Sequence, residues 1–169
     1  MTAIQKRKAG AMLQRSEDAK KTVIKKVATA ARRKARKSGK ADVGDFINAF
    51  YGNTAPEDVL RAAPDQLLAA ALSAWDLLQK RTPHEPSIRV FNPKNEKGGW
   101  DTDHTAVQVV NDDMAFLVDS VTAALNQLEA TIHVIVHPII RVKRDKNGKL
   151  LAICQDENHK MLMMMIMIF

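Results

Sequence analysis

The residues best placed to do chemistry are Asn111, Asp112 and Asp113, three polar side chains between a β-branched run and an amphipathic one. Where a strand hands over to a helix, backbone N–H groups and the positive end of the helix dipole converge, a setting that suits a carboxylate or phosphate. Two carboxylates repel such an anion. They suit the ammonium group of an amino acid better, and they equally suit plain helix capping, for which Asp and Asn are common residues. The expectation is a ligand-binding or capping turn comprising Asn111, Asp112, Asp113, Met114 and Phe116.

Two further groupings carry less. His133 and His137 are four apart, a spacing that puts both on one face of a strand. A metal would need a third ligand such as Cys154 or His159, and the spacing matches no zinc pattern, so no metal site is expected. Trp100 follows Gly98 and Gly99 and is flanked by Asp101, Asp103 and His104. It reads either as a loop that closes on a ligand or, preferably, as an exposed or dimer-packed aromatic. There is no glycine-rich fingerprint between strand and helix, no P-loop, no nucleophile elbow and no defensible acid/base pair. Neither a catalytic residue nor a cofactor-binding residue is expected.

The elements that position these residues follow from periodicity. Val23, Ile24, Val27, Ala28 and Ala31 predict a helix with a narrow apolar stripe, ended by Ser38 and Gly39. Val43, Phe46, Ile47, Phe50 and Tyr51 predict a second, with a possible cap at Asp42 and an end at Gly52. Thr54 to Glu57 reads as a capping box with Pro56 in the first turn of a short helix through about Ala62. Pro64 opens a longer helix that ends near Arg81. Then the period changes to two. Strands are expected at 87–91, 104–110, 131–143 and 149–154, with a helix over 114–129 and a hairpin turn at Asp145 to Gly148. Pro138 lacks a ladder donor and so marks an edge or a bulge. The fold class is α+β: an N-terminal helical segment, then an antiparallel sheet with a helix on one face.

Charge divides the chain in the same way. Its 169 residues carry a net +7, but residues 1–40 hold 14 Lys and Arg against two acidic residues, and the rest 12 against 17. A cationic arm, net +12, precedes a body of net −5. The arm has charge for phosphates but no aromatic residue on which bases could stack, so nucleic acid is not an expected partner. One cysteine, no apolar run long enough for a signal or a span, and Lys in excess of Arg in the arm fit a cytoplasmic protein with no membrane partner. The expected organisation is a basic, partly helical or disordered arm at 1–41, a helical unit at 42–82, an α+β module at 86–155 and an apolar tail at 156–169. That tail holds five of the eight methionines in an unbroken apolar run. It reads as a truncation or frameshift end, or alternatively as a strand or helix docked on the core.

Seven stretches carry a family resemblance: Phe46 to Gly52 (FINAFYG), Pro56 to Leu60 (PEDVL), Ser87 to Pro93 (SIRVFNP), Gly99 with Trp100, His104 to Met114 (HTAVQVVNDDM), Phe116 to Ser120 (FLVDS) and Ile132 to Pro138 (IHVIVHP). Together they resemble the N-terminal region of the large bacterial NAD-specific glutamate dehydrogenases. The resemblance implies an ACT-like regulatory module, a βαββαβ sandwich whose relatives bind amino acids near the first strand-to-helix turn, here Asn111 to Phe116. A small glycine usual at that turn is replaced by Phe116, which would fill the ligand space and favour domain packing or oligomerisation. The resemblance further implies a non-catalytic regulatory or assembly fragment of an enzyme that deaminates L-glutamate to 2-oxoglutarate. NAD would then belong to the intact enzyme and not to this chain, and the partners would be the rest of the enzyme, a second copy or an amino-acid effector. The alternative is a free-standing amino-acid-sensing module whose basic arm binds nucleic acid or an acidic partner.

Overall fold

The computed structural model describes residues 3–38, 43–153 and 160–168. Four helices come first: α1 (Ala3–Ser38), α2 (Val43–Gly52), α3 (Pro56–Arg61) and α4 (Pro64–Leu78). The expected apolar stripe of α1 is the face it buries, with Ile24, Val27, Ala28 and Ala31 packed among Phe46, Ile47 and Phe50 of α2 and Leu78 of α4. Two of the arm's cations are drawn into this packing. Lys20, nearly buried, donates from Nζ to the carbonyl of Gly52 at 2.8 Å, where the C-terminal end of α2 presents its free carbonyls. Arg32 pairs with Asp45. Residues 20–32 are thus part of the helical unit and not an appendage to it.

The sheet follows as β1 (Ser87–Phe91), β2 (Thr105–Asp112), helix α5 (Leu117–Gln127), β3 (Ile132–Val136), β4 (Ile139–Arg144), β5 (Leu150–Ile153) and β6 (Lys160–Ile168). Every pairing among the described residues is antiparallel. β6 lies between β2 on one side and β3 with β4 on the other. β2 and β3 therefore run parallel with a strand between them, joined by α5, which is a split βαβ unit. Where the resemblance implies βαββαβ, a single α-helix lies among these strands in the described residues; β1 and β2 are joined by a loop with one 3-10 turn at Pro93–Asn95.

Side chains alternate across β2 as a pleated strand requires. Ala106 and Val110 face the helical unit, and so does the fully buried Gln108, whose Nε2 donates to Ser73 Oγ of α4 at 3.2 Å. Val107 and Val109 face the other way and pack with Ile166 of β6 beneath Val118, Val121 and Leu125 of α5. The sheet is covered on both faces, by α5 on one and by the helical unit on the other. Ile88 and Val90 of β1 stand opposite Val109 and Val107 but remain exposed, because α5 lies over β2, β6 and β3.

Several expectations shift. The apolar tail is not outside the architecture: residues 160–168 form an interior strand, the docked alternative. The strand expected over 131–143 is interrupted at His137 and Pro138, yet its register to β6 continues, Val136 opposite Met165 and Ile139 opposite Leu162. Pro138 has no N–H to give, so the ladder skips it without slipping. The irregularity in this strand falls instead at His133, between Ile132 and Val134. The capping box at Thr54 is absent; Ala55 occupies the cap position with no side-chain hydrogen bond. α5 begins three residues later than expected because Phe116 takes a left-handed backbone, φ 61°. The possible cap at Asp42 lies outside the described residues.

Candidate functional site

The turn from Asn111 to Phe116 does something other than cap. Phe116 is the cap residue of α5 and makes no side-chain cap bond. Asp112 accepts a hydrogen bond from Nη1 of Arg81 at 2.7 Å. Arg81 is only 4% exposed. Its Nε donates to the carbonyl of Glu85 at 2.6 Å and its Nη2 to Asn111 Oδ1 at 3.4 Å. That hydrogen bond, with desolvation opposing it, holds the Asp112 carboxyl below the usual carboxylate range. Close by, Gly148 Cα approaches the Arg81 carbonyl so nearly that a Cβ would overlap it, while Arg144 donates to Leu78 O and Gly148 O. Asn111 and Asp112 thus tie the sheet to the segment after α4. Asp113 and Met114 stay on the surface, as does Phe116, which is 77% exposed.

A cavity of about 210 Å³ lies elsewhere, where α3 and α4 meet the start of β2 and the edge strand β3. Its walls are Val59, Ala62, Leu67, Ala70, Val134 and Val136. Trp100 closes one side; far from being exposed or dimer-packed, it is buried edge-to-face on Phe91, centroids 6.0 Å apart. Gly99 permits this loop to fold back, since a Cβ there would overlap the Pro93 carbonyl. Tyr51 donates its hydroxyl to Leu67 O at 2.8 Å, and its burial pushes the phenol pKa up, so it stays neutral.

The polar rim is made by Thr54, Asp58, Asp101, Thr102, His104 and His133. The irregularity at His133 sets its ring edge-to-face against His104, centroids 4.3 Å apart. Thr102 Oγ1 lies 2.8 Å from His104 Nδ1. Burial, then the neighbouring His133, lower the His104 pKa, with Asp103 opposing, so the imidazole is neutral at neutral pH. His133 thus partners a residue 29 positions earlier and not His137. Cys154 and His159 lie outside the described residues, and among the described residues no three His, Cys, Asp or Glu come together as a metal site. His104, Asp101 and the neighbouring Trp100 had a sequence signal through their loop, His133 through its spacing from His137 and Thr54 through its capping pattern, but none of these signals pointed to a shared cavity; Tyr51, Asp58 and Gln66 sit at ordinary helical positions and are gathered by tertiary packing.

An antiparallel sheet with a split βαβ unit, preceded by packed helices, defines an ACT-like α+β module. Residues 46–169 match the family described as glutamate dehydrogenase, ACT1 domain, and the chain belongs to that family. The match includes the apolar residues of β6. The NAD-specific glutamate dehydrogenase of Halomonas elongata is 34% identical over 141 residues, 83% of this chain and 9% of that protein. The NAD-specific glutamate dehydrogenase of Pseudomonas aeruginosa is 36% identical over 105 residues, 62% of this chain and 6% of its own length. The chain spans less than a tenth of these curated relatives. No solved structure matches. None of the helices, among the described residues, is long and apolar enough to cross a membrane.

Proposed function

We propose that this chain is an N-terminal, non-catalytic regulatory or assembly segment of an NAD-dependent glutamate dehydrogenase. The intact cytoplasmic enzyme would oxidatively deaminate L-glutamate to 2-oxoglutarate, with NAD bound outside this segment. The observation that carries the reading is the family match across 46–169 combined with the small share of each relative that the chain covers. The exposed Met114 and Phe116 support a role in packing against another domain or another copy, because a large aromatic held out on a turn is a natural contact. The turn from Asn111 to Phe116 is then a packing site, with Asp112 committed to Arg81 and Asp113 left for a ligand ammonium group.

The purified chain is expected to give no glutamate-dependent NAD reduction, and turnover above background would refute the non-catalytic reading. In an intact relative, replacing the residue that aligns with Phe116 by Asp should alter oligomeric mass or effector response. Unchanged mass and response would remove the assembly role.

A further inference from the structure

The open edges of the sheet are not alike. A strand with no neighbour on one side offers its backbone groups to any other strand, and folded proteins blunt such edges with bulges, prolines, charges or extreme shortness. β3 and β5 carry devices of this kind. The β3–β6 pairing is irregular at His133, and β5 is four residues long beside an irregularity at Arg144 of β4. β1 carries none. It lies at the end of the strand order, pairs with β2 in unbroken register from Ser87 to Phe91, and has no strand on its other side among the described residues. Its one charge, Arg89, is turned back into its own molecule: Nη2 lies 2.9 Å from Glu96 Oε2, Nη1 donates to Ser73 Oγ at 3.3 Å, and the guanidinium sits 4.0 Å above the Phe91 ring.

Both faces of β1 are uncovered. On the α5 side Ile88 and Val90 are 61% and 63% exposed. On the other side a groove of about 720 Å³ lies between β1 and α4, with Leu72, Phe91 and Trp100 in its wall. A strand laid along β1 would find an apolar surface for each of its two rows of side chains. Met114 and Phe116 are exposed as well and extend the α5-side surface past the Ser87–Val110 pair, where Asn111 donates to Met114 Sδ at 3.3 Å. At about 170–240 Å² for a fully exposed side chain of this size, these four residues leave roughly 500 Å² in water, so two copies bring together roughly 1,000 Å², the size at which a specific interface becomes stable.

We infer that β1 pairs antiparallel with β1 of a second copy, making one sheet across a two-fold axis that passes through Val90. An axis at Arg89 would set two guanidinium groups opposite each other, whereas at Val90 each Arg89 meets the partner's Phe91. The apolar row on the α5 side then runs through Ile88 and Val90 into the partner's Val90 and the partner's Ile88. A contact on a two-fold uses one patch twice, and this patch is its own complement, which is why a second copy is the occupant it specifies. The inference gives the assembly reading a surface and rests on that reading only for its place in the intact enzyme.

Sedimentation equilibrium of the full chain tests this. A reversible monomer–dimer equilibrium at micromolar concentration is expected. Ile88→Lys with Val90→Lys should weaken it about a hundredfold or more, with the thermal midpoint of the diluted monomer unchanged, since both side chains are exposed before association. In a Cys154→Ser background, Val90→Cys should form a disulfide-linked dimer under mild oxidation, and Thr22→Cys, exposed on the outer side of α1, should not. A native chain that stays monomeric at about 100 μM, association that survives both lysines, or cross-linking no greater through Val90→Cys than through Thr22→Cys overturns the inference. A monomeric chain leaves the assembly reading to be judged on the oligomeric mass of an intact relative, so the two fail separately.

Discussion

Phe116 holds a left-handed backbone with its ring in solvent, a combination that costs conformational energy and returns little burial. Phe116→Gly is therefore expected to raise stability by about 1 kcal/mol, read as a higher urea midpoint at unchanged slope. The opposite holds at Gly148, where φ is +77° and the Arg81 carbonyl occupies the place of a Cβ. Gly148→Ala should cost roughly 2 kcal/mol or more and lower the midpoint accordingly. His104 has a pH signature of its own. Its folded-state pKa lies below the unfolded value, so the unfolded chain takes up a proton first as pH falls. The resulting stability is fully present above about pH 6.5 and is lost as pH falls toward the folded pKa. Thermal midpoints should decline between about pH 7 and pH 5 in the native chain, and less steeply in His104→Gln.

Between elements, the Arg81–Asp112 pair joins the end of the helical unit to β2, and its partners are unequally placed. Arg81 is buried and Asp112 half exposed, so removing the carboxylate strands a buried cation more than it forfeits a strong pair. Asp112→Ala should destabilise by roughly 1–2 kcal/mol once the screening of the exposed partner is allowed for. The hydrogen bond from Arg81 lowers the Asp112 pKa, which means its contribution is present above the unfolded value near about pH 4 and is lost as pH falls through the lower folded one. Acid titration of stability should accordingly be flatter in the variant. None of this was legible in the run Asn111 to Asp113, which reads equally as a cap, because Arg81 is 31 residues away. The elements themselves were far more legible. The stripes of α1, α2 and α4 are the faces they bury, since helical period and core-facing side follow from the same spacing. β6 was the least legible element for a physical reason: a strand between two covered faces has no polar side, so its run is unbroken and carries no period.

In the whole molecule, the sheet gains its second cover from helices that precede it, and α1 in turn holds those helices together. Its charge disguised this. A segment of net +12 looks like a solvated arm, yet four apolar residues between Ile24 and Ala31 are buried, and Lys20 spends its charge on the end of α2. The exposed Met12 and Leu13 show that the earlier turns of α1 run clear of the body. Deleting residues 1–19 should therefore leave the thermal midpoint within a few degrees of the native chain. Deleting 1–38 removes the burial of Ile24 and Val27 and opens the surfaces of α2, α3 and α4 on which α1 lies. At roughly 25 cal/mol for each Å² of apolar surface returned to water, the loss is about 5 kcal/mol, comparable to the total stability of a domain this size. The shorter deletion should keep a cooperative melt by circular dichroism, and the longer one should lose it. A longer deletion that still melts cooperatively would show that α2, α3 and α4 cover the sheet without α1.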